Sequence, residues 1–386
     1  MNIIIFQYSV VDPHRGGINR MSKTYYDFLT AKGHIVFFVS VHFRTREFLP
    51  HQLLLEGCTQ EEQHVSFNEI IDKYQIDMMI YQNGITPYNN FVLRWAKEKN
   101  LSVVDVIHNS LRGMYGIDGH ATLSKMTPRI LKKMTDKLVN YFFMIKYGKF
   151  YREQFRLCDK IVLLSDKHKK EISYFTGWHD FSKFIAIPNP MTIAPPPIIN
   201  KNKVKKVLHV ALLNKQKRQD LLLDIWKIIE TKRSDWSLKI VGDGYMRSKL
   251  VQKVKTLQLQ HVEFMGYQSP EPYYNEASIF CLTSAYEGLC LVLIEAMAYG
   301  CVPMAFNSFE TASDIIDDGI NGMLISPFNI KEYAEKLIDI IDDEERRIMM
   351  AEKAVEKSKC FDVDKIACMW IDMLEQLKSR EVPANA

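Results

Sequence analysis

The chain has 386 residues, 47% apolar and 25% charged, which exceeds one ordinary domain and excludes a disordered or fibrous protein. Its formal charge is only +4, but the segment Ala121 to Leu157 holds nine basic residues against two acidic ones, a net +7 that leaves the rest at −3. Apolar stretches such as Ile35 to Val41 fall far short of the roughly 20 residues a membrane-crossing helix needs.

The opening run Met1-Asn2-Ile3-Ile4-Ile5-Phe6 lacks the basic start and small-residue cleavage site of a leader, so it is read as a first strand. Short apolar runs then follow at Ile3–Ser9, Ile35–Val41, Asp77–Tyr81, Ser102–Ile107, Lys160–Leu164 and Phe184–Ile187. Amphipathic segments such as Met21–Leu29 and Phe91–Lys97 lie between them, the alternation of a parallel sheet covered by helices. It pauses at Ile193-Ala194-Pro195-Pro196-Pro197, which can continue neither a helix nor an inner strand, and a lysine-rich stretch follows. Strands resume at Lys206–Leu212, Ser237–Val241, Val262–Met265, Ile279–Thr283, Val302–Phe306 and Met323–Ile325. Helices are expected at Asp220–Glu230, Met246–Thr256 and Leu291–Tyr299, and Ile330–Leu377 reads as helical with brief breaks.

The pattern predicts an α/β chain of two doubly wound domains. The first covers 1–192, a linker 193–203 and the second 204–360; residues 361–386 form a terminal helix expected to pack back on the first. Two such domains place ligand beyond the carboxyl ends of their strands, with the cleft between them as the default site. None of the seven cysteines stands in a Cys-x-x-Cys pair, which suits free thiols in a reducing cytoplasm.

The most informative segment runs from Ser284 through Glu287-Gly288-Leu289-Cys290-Leu291 to Glu295-Ala296-Met297-Ala298-Tyr299-Gly300. A strand ends, a glycine turn follows and a helix begins, so free N–H groups and a positive dipole end face the turn and suit a diphosphate. Glu287 on the turn and Glu295 within the helix would repel that diphosphate and serve better as acceptors from sugar hydroxyls. Taken alone, both glutamates also fit ordinary solvated positions.

The segment resembles the signature of retaining glycosyltransferase family 4: Glu-Gly, seven residues between glutamates, then Glu-Ala-Met-Ala-x-Gly. The likeness extends to Val302-Pro303, to Asp318-Gly319-Ile320-Asn321-Gly322, and upstream to Val241-Gly242-Asp243-Gly244 and Phe264-Met265-Gly266-Tyr267. It implies the GT-B fold, two Rossmann-like domains facing across a cleft, with the donor held mainly by the second. It further implies that Glu295 takes the nucleotide ribose, that Glu287 lies against the transferred sugar, and that the backbone from Gly288 through Leu289 and Cys290 to Leu291 meets the diphosphate. Lys217 corresponds to the family lysine that neutralises the diphosphate, while Gly266 and Tyr267 fall on the base-side loop. The family's Gly-Arg pair is Ala211-Leu212 here, so either Lys215 or Arg218 substitutes or the donor has one cation fewer. Cys290 stands where a proline is common.

The first domain resembles the acceptor half more weakly. Gly16-Gly17 follows the first strand and opens a helix, where a glycine turn admits a phosphate. His108 ends a strand and corresponds to the family histidine that contacts the donor sugar. Ile187-Pro188-Asn189-Pro190 matches the closing strand.

No Walker phosphate loop and no His-Glu-x-x-His pair occur, and Asp362-Val363-Asp364 suits a helix cap better than a metal. No cofactor or metal is expected. The basic residues of 121–157, Lys132, Lys133 and Lys137 among them, interleave with Tyr141, Phe142, Phe143, Tyr147, Phe150, Tyr151 and Phe155. This suits an anionic membrane surface, the alternative being helices whose aromatics pack on the sheet; no nucleic-acid module accompanies it.

The resulting expectation is a retaining, metal-independent hexosyltransferase in the cytoplasm, peripheral on the inner face of the membrane. Its donor is a UDP- or GDP-linked sugar and its acceptor a glycan or lipid-linked glycan of bacterial surface polysaccharide. A sugar-nucleotide epimerase of the same fold and a non-catalytic binding subunit are the alternatives.

Overall fold

The structure is a computed structural model that describes residues 1–13, 16–41, 49–82, 90–111 and 132–381; the side chains of 132–140, 142, 143 and 380–381 are outside the description. The chain divides into two compact units, Met1–Pro190 with Val363–Ala386, and Met191–Asp362.

The first unit is built on seven parallel strands: β1 (Asn2–Phe6), β2 (Ile35–Ser40), β3 (Gln52–Leu54), β4 (Met78–Tyr81), β5 (Ser102–Ile107), β6 (Lys160–Leu163) and β7 (Phe184–Ala186). Their order is β3-β2-β1-β4-β5-β6-β7. Every residue of β4 and β5 is buried, as expected of inner strands covered on both faces, which explains a sequence that is apolar except at Ser102 and Asp105. Ile4 pairs with Phe37 on one side and Met79 on the other, which fixes the central register.

β3 and the helix after it are among the elements that the sequence pattern did not name. β3 is a three-residue edge strand, and the polar helix Gln60–Tyr74 buries only Ser66, Phe67 and Ile71. That helix is started by a capping box: the Thr59 hydroxyl accepts from the Glu62 N–H, and the Glu62 carboxylate accepts from the Thr59 N–H.

The basic, aromatic segment splits. Residues 121–131 lie outside the described residues, and Lys132–Leu157 is one 26-residue helix. Tyr151 and Phe155 are buried in the first unit's core and are not surface aromatics. On the same helix Tyr141 and Ile145 are both 58% exposed, and Lys146 and Lys149 are exposed as well.

The second unit has six parallel strands: β8 (Val204–Val210), β9 (Ser237–Val241), β10 (Val262–Gly266), β11 (Ala277–Leu282), β12 (Val302–Phe306) and β13 (Met323–Ile325), ordered β10-β9-β8-β11-β12-β13. The helix Gln219–Lys232 covers this sheet with Leu222, Ile225, Trp226 and Ile229, one face at helical spacing and all buried. The stretch from Met191 to Lys203 holds neither helix nor strand, and Asp362 stands extended directly before the helix Val363–Glu381. All seven cysteines are free, and Cys158, Cys281, Cys290 and Cys301 are buried. Among the described residues no helix is long and apolar enough to cross a membrane.

Candidate active site

β8 and β11 are adjacent in the second sheet, and strand order reverses between them. The loops leaving two such strands open a crevice at the carboxyl edge of the sheet. Here those loops, 211–218 and 283–290, are joined directly. The Ala285 N–H donates to the Gln216 carbonyl at 2.8 Å, and Gln216 Nε2 donates to the Tyr286 carbonyl at 2.9 Å. Thr283 Oγ1 lies 3.0 and 3.1 Å from the carbonyl oxygens of Lys217 and Arg218. Within the first loop, Asn214 Oδ1 accepts from the Lys217 N–H at 3.0 Å. Gly242, at φ +129, presses on the same loop: a Cβ there would lie 2.0 Å from the Ala211 carbonyl oxygen. The glycine turn after β9 therefore lets a second backbone approach the Lys217 loop.

The two loops bring Lys217 and Glu287 together. Lys217 Nζ donates to Glu287 Oε1 at 2.6 Å, and the side chains are only 17% and 9% exposed. Burial pulls the ammonium down, but the facing carboxylate outweighs it and holds Lys217 above the usual lysine range. Beside them the helix Leu291–Ala298 starts at Cys290 without a side-chain cap among the described residues. The N–H groups of a first turn have no carbonyl within the helix, and the positive dipole end favours an anion. Two hydroxyls hold the turn in place, Thr311 Oγ1 on the Gly288 carbonyl at 2.7 Å and Ser308 Oγ on the Ser284 carbonyl at 2.6 Å. Lys217, Glu287, Gly288, Leu289, Cys290 and Leu291 thus share one place.

Glu295 lies further along this helix and is fully buried. Its Oε1 accepts from Thr192 Oγ1 at 2.9 Å and its Oε2 from the Tyr274 hydroxyl at 3.1 Å. At the end of β10, Gly266 has φ +74 and its carbonyl accepts from the Gly242 N–H at 2.7 Å, while Tyr267 is 74% exposed. Leu212 is exposed where the family arginine would stand. Arg218 is engaged elsewhere: its guanidinium makes two 3.0 Å bonds to Asp220 and lies 5.7 Å over the Phe328 ring. Lys215 is exposed. Thr192, Gln216, Tyr274, Thr283, Ser308 and Thr311 carry no sequence signature, because their work is to bond backbone or carboxylate across the fold.

In the first unit, Gly17 sits at the start of the helix Gly16–Ala31, and a Cβ added there would meet nothing within 4 Å among the described residues. His108 is buried just beyond β5 and stacks on Tyr25 with ring centroids 6.3 Å apart. Its Nε2 lies 3.1 Å from Gln82 Oε1, while Nδ1 has no partner among the described residues.

Burial pushes His108 down to about 4, and burial does the same to His209, whose Nδ1 donates to the Cys281 carbonyl. Unfolded imidazole titrates near ~6.5, so these two groups remove stability as pH falls from about 6.5 to about 4. Asp105 in β5 acts oppositely. Burial lifts it to about 7 despite a 2.7 Å bond from Gln154 Nε2, so it removes stability as pH rises from ~3.9 to about 7. Asp105→Asn removes only the second effect. Its urea-measured stability should fall more steeply than wild type's between pH 6.5 and 4. Parallel curves in that window would show that Asp105 does not titrate there.

Residues 194–357 match the family model described as Glycosyl transferases group 1. The chain is similar to that family over most of its second unit. It is 35% identical over 222 residues to an uncharacterized glycosyltransferase of Haemophilus influenzae, covering 56% of this chain and 61% of the relative. It is 29% identical over 228 residues to the amylovoran biosynthesis glycosyltransferase AmsD of Erwinia amylovora, covering 56% and 62%. The chain therefore spans about six tenths of the length of these two relatives. A longer match, 24% over 314 residues, covers 80% of the chain and 84% of a Campylobacter jejuni protein named as an α-1,4-N-acetyl-D-galactosaminyltransferase for a diNAcBac-PP-undecaprenol glycan. Among solved structures, Staphylococcus aureus TarM with fondaparinux, α-GlcNAc-glycerol and UDP superposes with a TM-score of 0.73 at 14% identity, over 96% of this chain and 99% of that one. That likeness shows the fold: two doubly wound parallel sheets of the GT-B class, as the sequence resemblance implies.

Proposed function

We propose that the protein is a retaining glycosyltransferase that moves a sugar from a nucleoside diphosphate donor to a glycan acceptor without requiring a metal. The observation that carries this reading is the Lys217–Glu287 pair beside the start of the helix Leu291–Ala298. Lys217 and the helix start take the diphosphate, Glu287 takes a hydroxyl of the sugar, and Glu295 takes the ribose. The bond from the sugar's anomeric carbon to the diphosphate breaks and its electron pair leaves with the phosphate oxygen. The acceptor hydroxyl bonds the same face of that carbon and passes its proton to the departing phosphate. Positive charge at that phosphate lowers the barrier because negative charge grows there in the transition state.

The Campylobacter relative's name specifies an N-acetylhexosamine, which widens the expected donor from a hexose to a hexose or N-acetylhexosamine. The same name and that of the Erwinia protein support a lipid-linked or surface-polysaccharide acceptor. A screen of UDP- and GDP-linked sugars against polyprenyl-linked glycans, read by nucleotide release, tests this. Release should depend on acceptor. Free sugar formed equally well without acceptor would instead mark the epimerase reading.

The exposed Tyr141, Ile145, Lys146 and Lys149 support contact of the helix Lys132–Leu157 with anionic lipid. Each basic residue near such a surface contributes about 1 kcal/mol, screened by salt. Lys146→Glu/Lys149→Glu should release the protein from anionic vesicles at low salt and leave nucleotide binding unchanged. Wild-type protein that ignores those vesicles would end the membrane reading.

A further inference from the structure

The motif's second carboxylate is closed in this structure. Glu295 has no exposed surface, and hydroxyls of Thr192 and Tyr274 donate to its two oxygens. A ribose hydroxyl can reach it only if a group covering it withdraws, and the two donors differ in their freedom to do so. Tyr274 is fully buried, its ring packs against Phe280 and Tyr299, and its carbonyl accepts from Lys203 Nζ at 2.7 Å. Thr192 is half-buried and belongs to the irregular stretch between Met191 and Lys203. The backbone is tied on either side of it, the Met191 N–H to the Phe361 carbonyl at 2.8 Å and the Ala194 carbonyl to the Tyr299 hydroxyl at 3.2 Å. The movement left to Thr192 is a side-chain rotation between staggered positions, which takes the hydroxyl off Glu295 without moving the chain.

We infer that Thr192 sets nucleotide affinity, because its hydroxyl competes with the ribose for the Glu295 carboxylate. The inference rests on the ribose role given to Glu295 above. Binding and release of Thr192 are then linked: nucleotide frees the hydroxyl, and anything that holds the hydroxyl on Glu295 weakens nucleotide binding by the same factor. The threonine costs affinity because the open carboxylate is present only in the fraction of molecules in which it has rotated away.

Titration calorimetry with UDP and with GDP, using the full chain, tests this. Thr192→Val keeps the shape and removes the hydroxyl, and should tighten binding of the preferred nucleotide about tenfold. It also leaves Glu295 one donor short, so the nucleotide should raise the melting temperature of this variant more than that of wild type. Thr192→Ser restores the donor and should return affinity to the wild-type value. Unchanged or weaker binding by a folded Thr192→Val protein overturns the inference. Glu295→Gln separates the two failures. If it leaves affinity intact, the ribose role itself is wrong. If it weakens binding while Thr192→Val fails to tighten it, only the competition is wrong. In the Glu295→Gln background the gain from Thr192→Val should shrink, since the contested group is no longer charged.

Discussion

Lys217→Ala should lower turnover by about 10²–10³, the scale of removing one preorganised charge from the site where transition-state charge collects. Nucleotide binding should fall less, because ground-state diphosphate carries less charge at the breaking bond than the transition state does. The 2.6 Å pairing with Glu287 adds a complication. Removing the ammonium strands a carboxylate that is only 9% exposed, and breaking a buried pair from one side costs about 3–5 kcal/mol of stability. Loss of activity could then reflect loss of fold. The double variant Lys217→Ala/Glu287→Gln resolves this, since a neutral amide removes the stranded charge. It should melt closer to wild type than Lys217→Ala does and remain as inactive. Steady-state turnover beside urea denaturation reads both. Near-normal turnover in folded Lys217→Ala would move the diphosphate role to Lys215, since Arg218 is bonded to Asp220.

Much of this site was legible because its chemistry is local. The strand end, glycine turn and helix start around Glu287 follow one another in sequence, and the spacing to Glu295 is a property of one segment. The buried strands were legible for the same reason: a run such as Ser102–Ile107, wholly buried, is apolar except at Ser102 and Asp105. What holds the site together is not local. Thr192 and Glu295 are 103 positions apart, and Thr283 and Lys217 are 66 apart, so neither bond leaves a periodic trace. Hydroxyls that bond a distant carbonyl look in sequence like any surface threonine. The helix Gln60–Tyr74 was missed for a different reason. Its buried face is only three residues, and its signal was the Thr59/Glu62 cap rather than hydrophobic period. Tyr151 and Phe155 belong to the sheet-facing alternative for the basic segment, which composition alone could not separate from a surface cluster.

Trp370→Ala should cost about 3–5 kcal/mol, the range for removing a large aromatic side chain from a packed core. Its helix, Val363–Glu381, follows the second unit in the chain yet belongs to the first. Ile366, Trp370, Met373, Leu374 and Leu377 are all buried and recur at the spacing of one helical face. Trp370 is fully buried, its ring 4.7 Å from that of Tyr25 and 6.5 Å from that of Phe28, both on the helix Gly16–Ala31. Tyr25 in turn stacks on His108, and its hydroxyl donates to Asn189 Oδ1 at 3.1 Å. The indole therefore supports the residue that flanks the histidine. Its Nε1 is buried without a partner among the described residues, and an N–H so placed costs free energy. Trp370→Phe removes that donor and keeps most of the ring, so it should cost less than about 1.5 kcal/mol. Chemical denaturation followed by far-UV circular dichroism measures both variants. Nucleotide affinity serves as the internal control, because the Lys217, Glu287 and Glu295 side chains all lie in the other unit. An alanine variant within about 1 kcal/mol of wild type would mean that the terminal helix contributes little to the first unit, whatever its burial.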